Sequence, residues 1–118
     1  MTKKVIFEYY DEKEFKNFLY SLPNKEAAKL LVTINKISEY GLLIAQEQQW
    51  VKKLENNLFE IRSIYGSDIT RALYFHKSGK YYVITHGFKK KKQKTPDFEK
   101  DHAKNIRKRV LKRNKNEN

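Results

Sequence analysis

The apolar positions of this chain change their spacing twice, and the changes outline its elements. Lys4 to Tyr10 is a short β-branched and aromatic run, as a first strand requires. Asp11 follows as a helix N-cap, with Glu14 three residues on as its capping-box partner. Phe15, Phe18, Leu19 and Leu22 then take the i, i+3, i+4, i+7 spacing of an amphipathic helix, which Pro23 interrupts. A second helix is expected from Asn24, burying Ala27, Leu30, Leu31, Ile34 and Ile37 and ending at Gly41. The two helices form an antiparallel hairpin.

Residues 42–57 fit either an irregular crossover or a third short helix. From Leu58 the period becomes two: Phe59, Ile61, Ser63 and Tyr65 alternate with Glu60, Arg62 and Ile64. Turns at Gly66-Ser67-Asp68 and Lys77-Ser78-Gly79-Lys80 separate Ile69–His76 and Tyr81–Phe88, so three strands make an antiparallel meander. Tyr9, Tyr65, Tyr74 and Tyr81 fall where core aromatics belong, and Trp50, with Leu54 at i+4, reads as core. Thr95-Pro96-Asp97 opens a last helix, with Phe98, His102, Ile106 and Val110 on its buried face and a frayed tail over residues 113–118. The fold class is therefore α+β: an N-terminal helical hairpin packed on a small, largely antiparallel twisted sheet, with a C-terminal basic helix, in one domain spanning residues 1–118.

Charge adds a partner class to this outline. The chain of 118 residues carries a formal net charge of +12. Residues 89–118 hold 13 basic and four acidic side chains, whereas residues 1–88 hold 13 basic and 10 acidic ones. An excess so unevenly placed points to a polyanion, above all nucleic acid. The chain has no cysteine, which excludes disulfides, thiolate metal sites and cysteine nucleophiles and suits a reducing cytoplasm. No segment reaches the roughly 20 apolar residues of a membrane helix, so no membrane partner is expected.

Three basic groups lie on or beside the strands: Arg62, Arg71, and the block from His86 through Lys89, Lys90, Lys91, Lys92 and Lys94. In a meander the outer strands both flank the middle one, so these groups are expected to converge. Arginine binds phosphate oxygens as a planar fork, and lysine adds a point charge. Each has a plainer reading: Glu60, two residues from Arg62, is placed to pair with it, and His86 is as well placed to be a partly buried structural histidine. No acid pair, HExxH, GxxxxGK[ST] or GxGxxG is present, so no metal or other cofactor is expected. Metal-free RNA cleavage uses the ribose 2′-hydroxyl as its internal nucleophile and asks the protein for cations, a base and an acid. His86 and a crowded lysine are the candidates for proton transfer.

Residues 52–109 resemble the RelE/ParE toxin superfamily, most closely its HigB-like or phage Gp49-like branch. The resemblance is carried, in order, by K-x-L with LFEIR (residues 58–62), R-x-L-Y-F (residues 71–75), HGF-K-K (residues 86–90) and K-T-P (residues 94–96) ahead of a basic helix. It implies ribosome-dependent mRNA cleavage in the A site, neutralisation by a cognate antitoxin protein, and contact with operator DNA only through the antitoxin complex. It further implies Arg62 and Arg71 on the phosphate and Lys89 or Lys90 as the general acid. Lys52, Lys53, Lys91, Lys92 and Lys94 are the expected RNA-binding residues. Where relatives have further strand lysines this chain has Leu58 and Glu60, and where they have a late tyrosine it has Phe98, which leaves proton transfer to Lys53, Lys94 or His86. Two other classes remain open: a gyrase inhibitor of the ParE kind, and a nucleic-acid-binding module without catalysis.

Overall fold

The computed structural model describes residues 3–89 and 94–116, with side chains in the last helix as far as Arg113. The elements run β1 (Ile6–Tyr9), α1 (Glu12–Ser21), α2 (Asn24–Tyr40), α3 (Leu42–Glu47), β2 (Val51–Glu55), β3 (Leu58–Tyr65), β4 (Asp68–Ser78), β5 (Tyr81–Lys89) and α4 (Asp97–Asn116). One five-stranded sheet has the order β1-β5-β4-β3-β2, with β1 parallel to β5 and every other pair antiparallel. The α+β class and the largely antiparallel sheet follow the sequence pattern. The helices are not confined to one side: α1 and α2 cover one face and α4 the other.

Local chemistry explains the helix boundaries. The Asp11 Oδ1 accepts the Glu14 N–H at 3.0 Å, so α1 starts where the cap places it. Gly41, at φ 90°, ends α2 by donating its N–H to the Ile37 carbonyl at 2.9 Å and turns directly into α3. That conformation is open to glycine and strained for other residues. The ambiguous stretch thus resolves into a short helix followed by an edge strand. The strand was hidden because VKKLE has little alternation and its register shifts between Lys53 and Glu55.

Two cores lie on either side of the sheet. Phe15, Leu30, Ile34 and Ile37 from the hairpin pack on Ile61, Ala72, Tyr74 and Ile84. Here Gly87 is required, because a Cβ at that position would fall 2.5 Å from Cε2 of Phe18. On the other face Ala103 packs with Leu58, Leu73 and Phe88, and Ile106 with Phe75 and Val83. Among the described residues no helix is long and apolar enough to cross a membrane.

Several expected burials are corrected. Leu31 is exposed, because Leu30, Ile34 and Ile37 suffice to define the buried stripe of α2. Tyr65 and Tyr81 are exposed too: each adjoins a hairpin turn, beyond the cover of the helices. On α4 the buried face runs through Ala103 and Ile106 with the partly buried Val110, while Phe98 is exposed and His102, largely exposed, keeps its ring against His86. A strict four-residue spacing rotates off a 3.6-residue face by about 40° per step, which carried the expected stripe away from the true one. Helix α4 continues to Asn116 through part of the expected frayed tail, whose last two residues lie outside the described ones.

Candidate nucleic-acid interface

Side chains alternate faces along each strand, and cross-strand partners share a face. On the α4 face β3 therefore presents Leu58, Glu60 and Arg62, and β4 presents Leu73 and Arg71. Arg62 stands directly opposite Arg71 in the register, and Glu60 opposite Leu73. Like charges directly opposite each other destabilise a strand pair. The two arginines escape mutual repulsion because they occupy different environments.

Arg71 is fully buried, and its Nη1 lies 3.1 Å from Oε1 of Glu60, itself buried. The same Nη1 donates to the Thr95 Oγ1 at 3.2 Å. The acid expected to pair with Arg62 thus pairs with Arg71, and the Arg71 guanidinium is closed to solvent. Arg62 is half-buried, and its backbone N–H donates to the Trp50 carbonyl at 2.8 Å. Trp50 itself packs against Tyr40 and the main core, as its core reading anticipated.

One register step outward, Lys52 of β2 faces Glu60. Arg62 is then its diagonal neighbour, within about 7–8 Å on the backbone. Lys52, Lys53 and Leu54 form one wall of a cleft of about 360 Å³, and Lys94, Thr95 and Lys100 form the other. Lys100 is paired with Glu55 at 3.5 Å and with Asp97 at 3.4 Å. Among the described residues no carboxylate lies within ion-pair distance of Lys52, Lys53, Lys94 or Arg62. Three lysines with no described carboxylate partner therefore line an open cleft, and Arg62 stands diagonally from one of them, Lys52, in the register.

Other expected site residues lie elsewhere. Lys89 projects to the α1/α2 face, where its Nζ lies 2.8 Å from Oε1 of the buried Glu26 and 3.6 Å from Asp68. The Glu26 hydrogen bond first, then Asp68, raises its pKa and holds the proton on it. The cause of its placement is parity: Phe88 pairs with Arg71, so the next residue points the other way. Lys90, Lys91 and Lys92 lie outside the described residues.

His86 is on the α4 face but buried, with its ring stacked on Phe88 and edge-on to His102. Its Nδ1 is 2.9 Å from Thr85 Oγ1 and its Nε2 is 3.1 Å from Glu99 Oε1. Nε2–H donates to the Glu99 carboxylate, and Nδ1 hydrogen-bonds the Thr85 hydroxyl, which also lies 3.3 Å from the Leu73 carbonyl. Burial lowers the His86 pKa, against the upward pull of Glu99. The structure thus supports the plain reading of His86, a satisfied histidine that ties α4 to β5.

Sequence reasoning missed Thr95 as a partner of Arg71, and it missed Lys100. The second was readable: Lys100, Lys104 and Arg107 share one face of α4, and all three grip the β2–β3 turn. Lys104 lies 3.0 Å from Glu55, and Arg107 Nη1 donates to the Asn56 and Asn57 carbonyls at 2.8 and 2.9 Å. The Lys104 hydrogen bond, aided by Lys100, holds the Glu55 carboxyl below its ordinary pKa. Among the described residues no cluster of three or more His, Asp or Glu side chains could hold a metal ion.

The family model described as Phage derived protein Gp49-like (DUF891) matches residues 17–108, well over half of the chain. The chain belongs to the Gp49-like family. That family is of RelE-like toxin type and is associated with toxin–antitoxin modules, which makes a cognate antitoxin the partner expected of this Gp49-like protein. None of the curated proteins compared with the chain matches it. The matched span covers β2, β3 and the start of α4, and so every described residue of the lysine cleft.

Proposed function

We propose that this Gp49-like protein is the toxin of a type II toxin–antitoxin pair and acts as an endoribonuclease on mRNA engaged in the ribosomal A site. The observation that carries the reading is the open cleft in which Lys52, Lys53 and Lys94 meet beside Arg62 with their charges unpaired. A single-stranded phosphodiester fits such a cleft, because the cations displace its counterions and arginine grips the phosphate.

In the proposed reaction the ribose 2′-oxygen attacks the adjacent phosphorus and the bond to the 5′-oxygen breaks. A 2′,3′-cyclic phosphate and a free 5′-hydroxyl result. The 2′-hydroxyl loses its proton, and the departing oxygen gains one. In this reading Arg62 and Lys52 stabilise the pentavalent phosphate, and Lys53 or Lys94 moves protons. With its own nucleophile in the substrate, this route needs no metal. His86 and Lys89 take no direct part, since one is buried under α4 and the other faces the helical hairpin.

The test is inducible expression in a bacterium with primer extension on an abundant transcript, comparing wild type with Arg62→Ala. Translation-dependent cuts in the wild type, lost in the variant, are expected. Growth arrest without cuts would turn attention to gyrase and a supercoiling assay. Arrest with cuts that survive Arg62→Ala would remove Arg62 from the site.

A further inference from the structure

The buried pair beneath the cleft lies between two parts that must be held in register. Arg71 is in the middle strand of the sheet, and Thr95 is 24 residues later, in the lead-in to α4. Thr95 is buried and also lines the cleft. The hydrogen bond from Arg71 Nη1 to Thr95 Oγ1 therefore joins the sheet to the cleft wall that carries Lys94 and Lys100. Glu60 Oε1 forms an ion pair with the same nitrogen at 3.1 Å, so the guanidinium cannot swing out to a phosphate without abandoning a buried carboxylate.

We infer that Arg71 and Glu60 form an internal latch that positions Thr95, and with it the Lys94–Lys100 wall, against Lys52 and Lys53. Arg71 is a positioning residue for the cleft and not a ligand of the RNA phosphate. The register explains why such a latch is wanted. The cleft walls come from an edge strand and a helix start that share no ladder and are joined by the half-exposed Glu55 pairs with Lys100 and Lys104 and by the apolar cluster of Ala103 with Leu54, Leu58, Leu73 and Phe88. Apolar packing is non-directional and exposed ion pairs are loose, whereas a buried charge-assisted hydrogen bond fixes distance and angle.

Three proteins test this: Thr95→Val, Thr95→Ser, and the double variant Glu60→Leu/Arg71→Met. Thr95→Val removes the hydroxyl at nearly constant volume, and Thr95→Ser returns it. The double variant replaces the ion pair by apolar side chains, a change that usually leaves a fold intact. The first readout is fluorescence anisotropy with a short fluorescein-labelled oligouridylate at low salt. The second is amide exchange at the first turn of α4, taken relative to the β4 amides, which needs no RNA.

Thr95→Val and the double variant should each weaken oligouridylate binding about fivefold, the worth of one net hydrogen bond. Both should speed exchange at the start of α4 while β4 stays protected, and Thr95→Ser should restore wild-type behaviour. If Thr95→Val binds and exchanges as wild type, the latch is overturned. A binding loss confined to the double variant would then mean that Arg71 touches RNA itself. The binding readout rests on the RNA reading of the cleft, but the exchange readout does not. If the wild type fails to bind oligouridylate, that reading fails and exchange alone decides the latch. Should Thr95→Val not fold, the double variant carries the same exchange test.

Discussion

Glu60→Ala is the substitution whose cost follows most directly from the structure. It removes one partner of an ion pair in which both side chains are at most 1% exposed. The Arg71 guanidinium is then left in an apolar layer between β4 and α4 with Thr95 as its remaining named partner on that nitrogen. Taking a charge out of water costs several kcal/mol when it is not compensated, and breaking a buried pair costs about 3–5 kcal/mol. A domain of this size is stable by about 5–15 kcal/mol, so the loss is roughly a fifth or more of the whole. In melting temperature it is about 12–20 °C, at about 4 °C per kcal/mol for this length. Urea denaturation followed by circular dichroism measures it. The control is Lys16→Ala, which breaks an exposed i, i+4 pair with Glu12 at 3.7 Å and should cost no more than about 0.5 kcal/mol. A Glu60→Ala loss below about 1 kcal/mol would mean that the pair is solvated in solution, and both the burial argument and the latch built on it would fail.

Three further outcomes are expected. Burial keeps His86 neutral below the pH at which an unfolded histidine protonates, about 6.5. The unfolded chain then binds more protons, so stability is full above that pH and falls as the pH drops from about 7 toward 5.5. His86→Gln should flatten this slope in a pH series of thermal melts, and an unchanged slope would remove His86 as its source. Gly87→Ala should cost about 1–3 kcal/mol by forcing a methyl against Phe18; a neutral result in urea titration would mean that the ring moves freely. Lys52→Glu should lower the salt dependence of oligouridylate binding by roughly one to two contacts' worth, at about 0.7 in log–log slope per phosphate. The slope should stay unchanged if the cleft is not where RNA binds.

The parts of this fold legible in the sequence are those whose signal is local. Asp11, Pro23, Gly41, Gly66 and Gly79 punctuate the chain at or beside element boundaries, so α1, α2 and the three-strand meander were readable. Strand β2 was not, because its pairing with β3 is long-range and its register slips at Lys53. The site was legible in composition but only partly in geometry. Lysines 52, 53 and 94 do meet, and a period of two rightly put Arg62 opposite the Ile61 face. The same period, counted along β5, could have sent Lys89 to the face opposite Arg71 once the Arg71–Phe88 register was known. That register depends on the bulge between Leu73 and Tyr74, which no local motif announces.

The arrangement of charge gives the two halves of the chain different tasks. The acids of the last helix and of the β2–β3 turn are spent on Lys100, Lys104 and His86, which fastens α4 to the sheet. Glu60 is spent on Arg71, and Glu26 with Asp68 on Lys89. Each of these pairs lies at a seam between elements, where a fixed distance matters more than net energy. Among the cations that the acids leave over are Lys52, Lys53 and Lys94, which line one cleft, and Arg62, which stands diagonally from Lys52 in the register. A chain needing cations only for solubility would have no reason to seat three unpaired lysines around a concavity, where their repulsion is greatest. Under the proposed function, uncompensated cations in a cleft whose walls are held by compensated ones would be preorganised for a polyanion, since their repulsion is present before the ligand arrives and would be relieved when it binds.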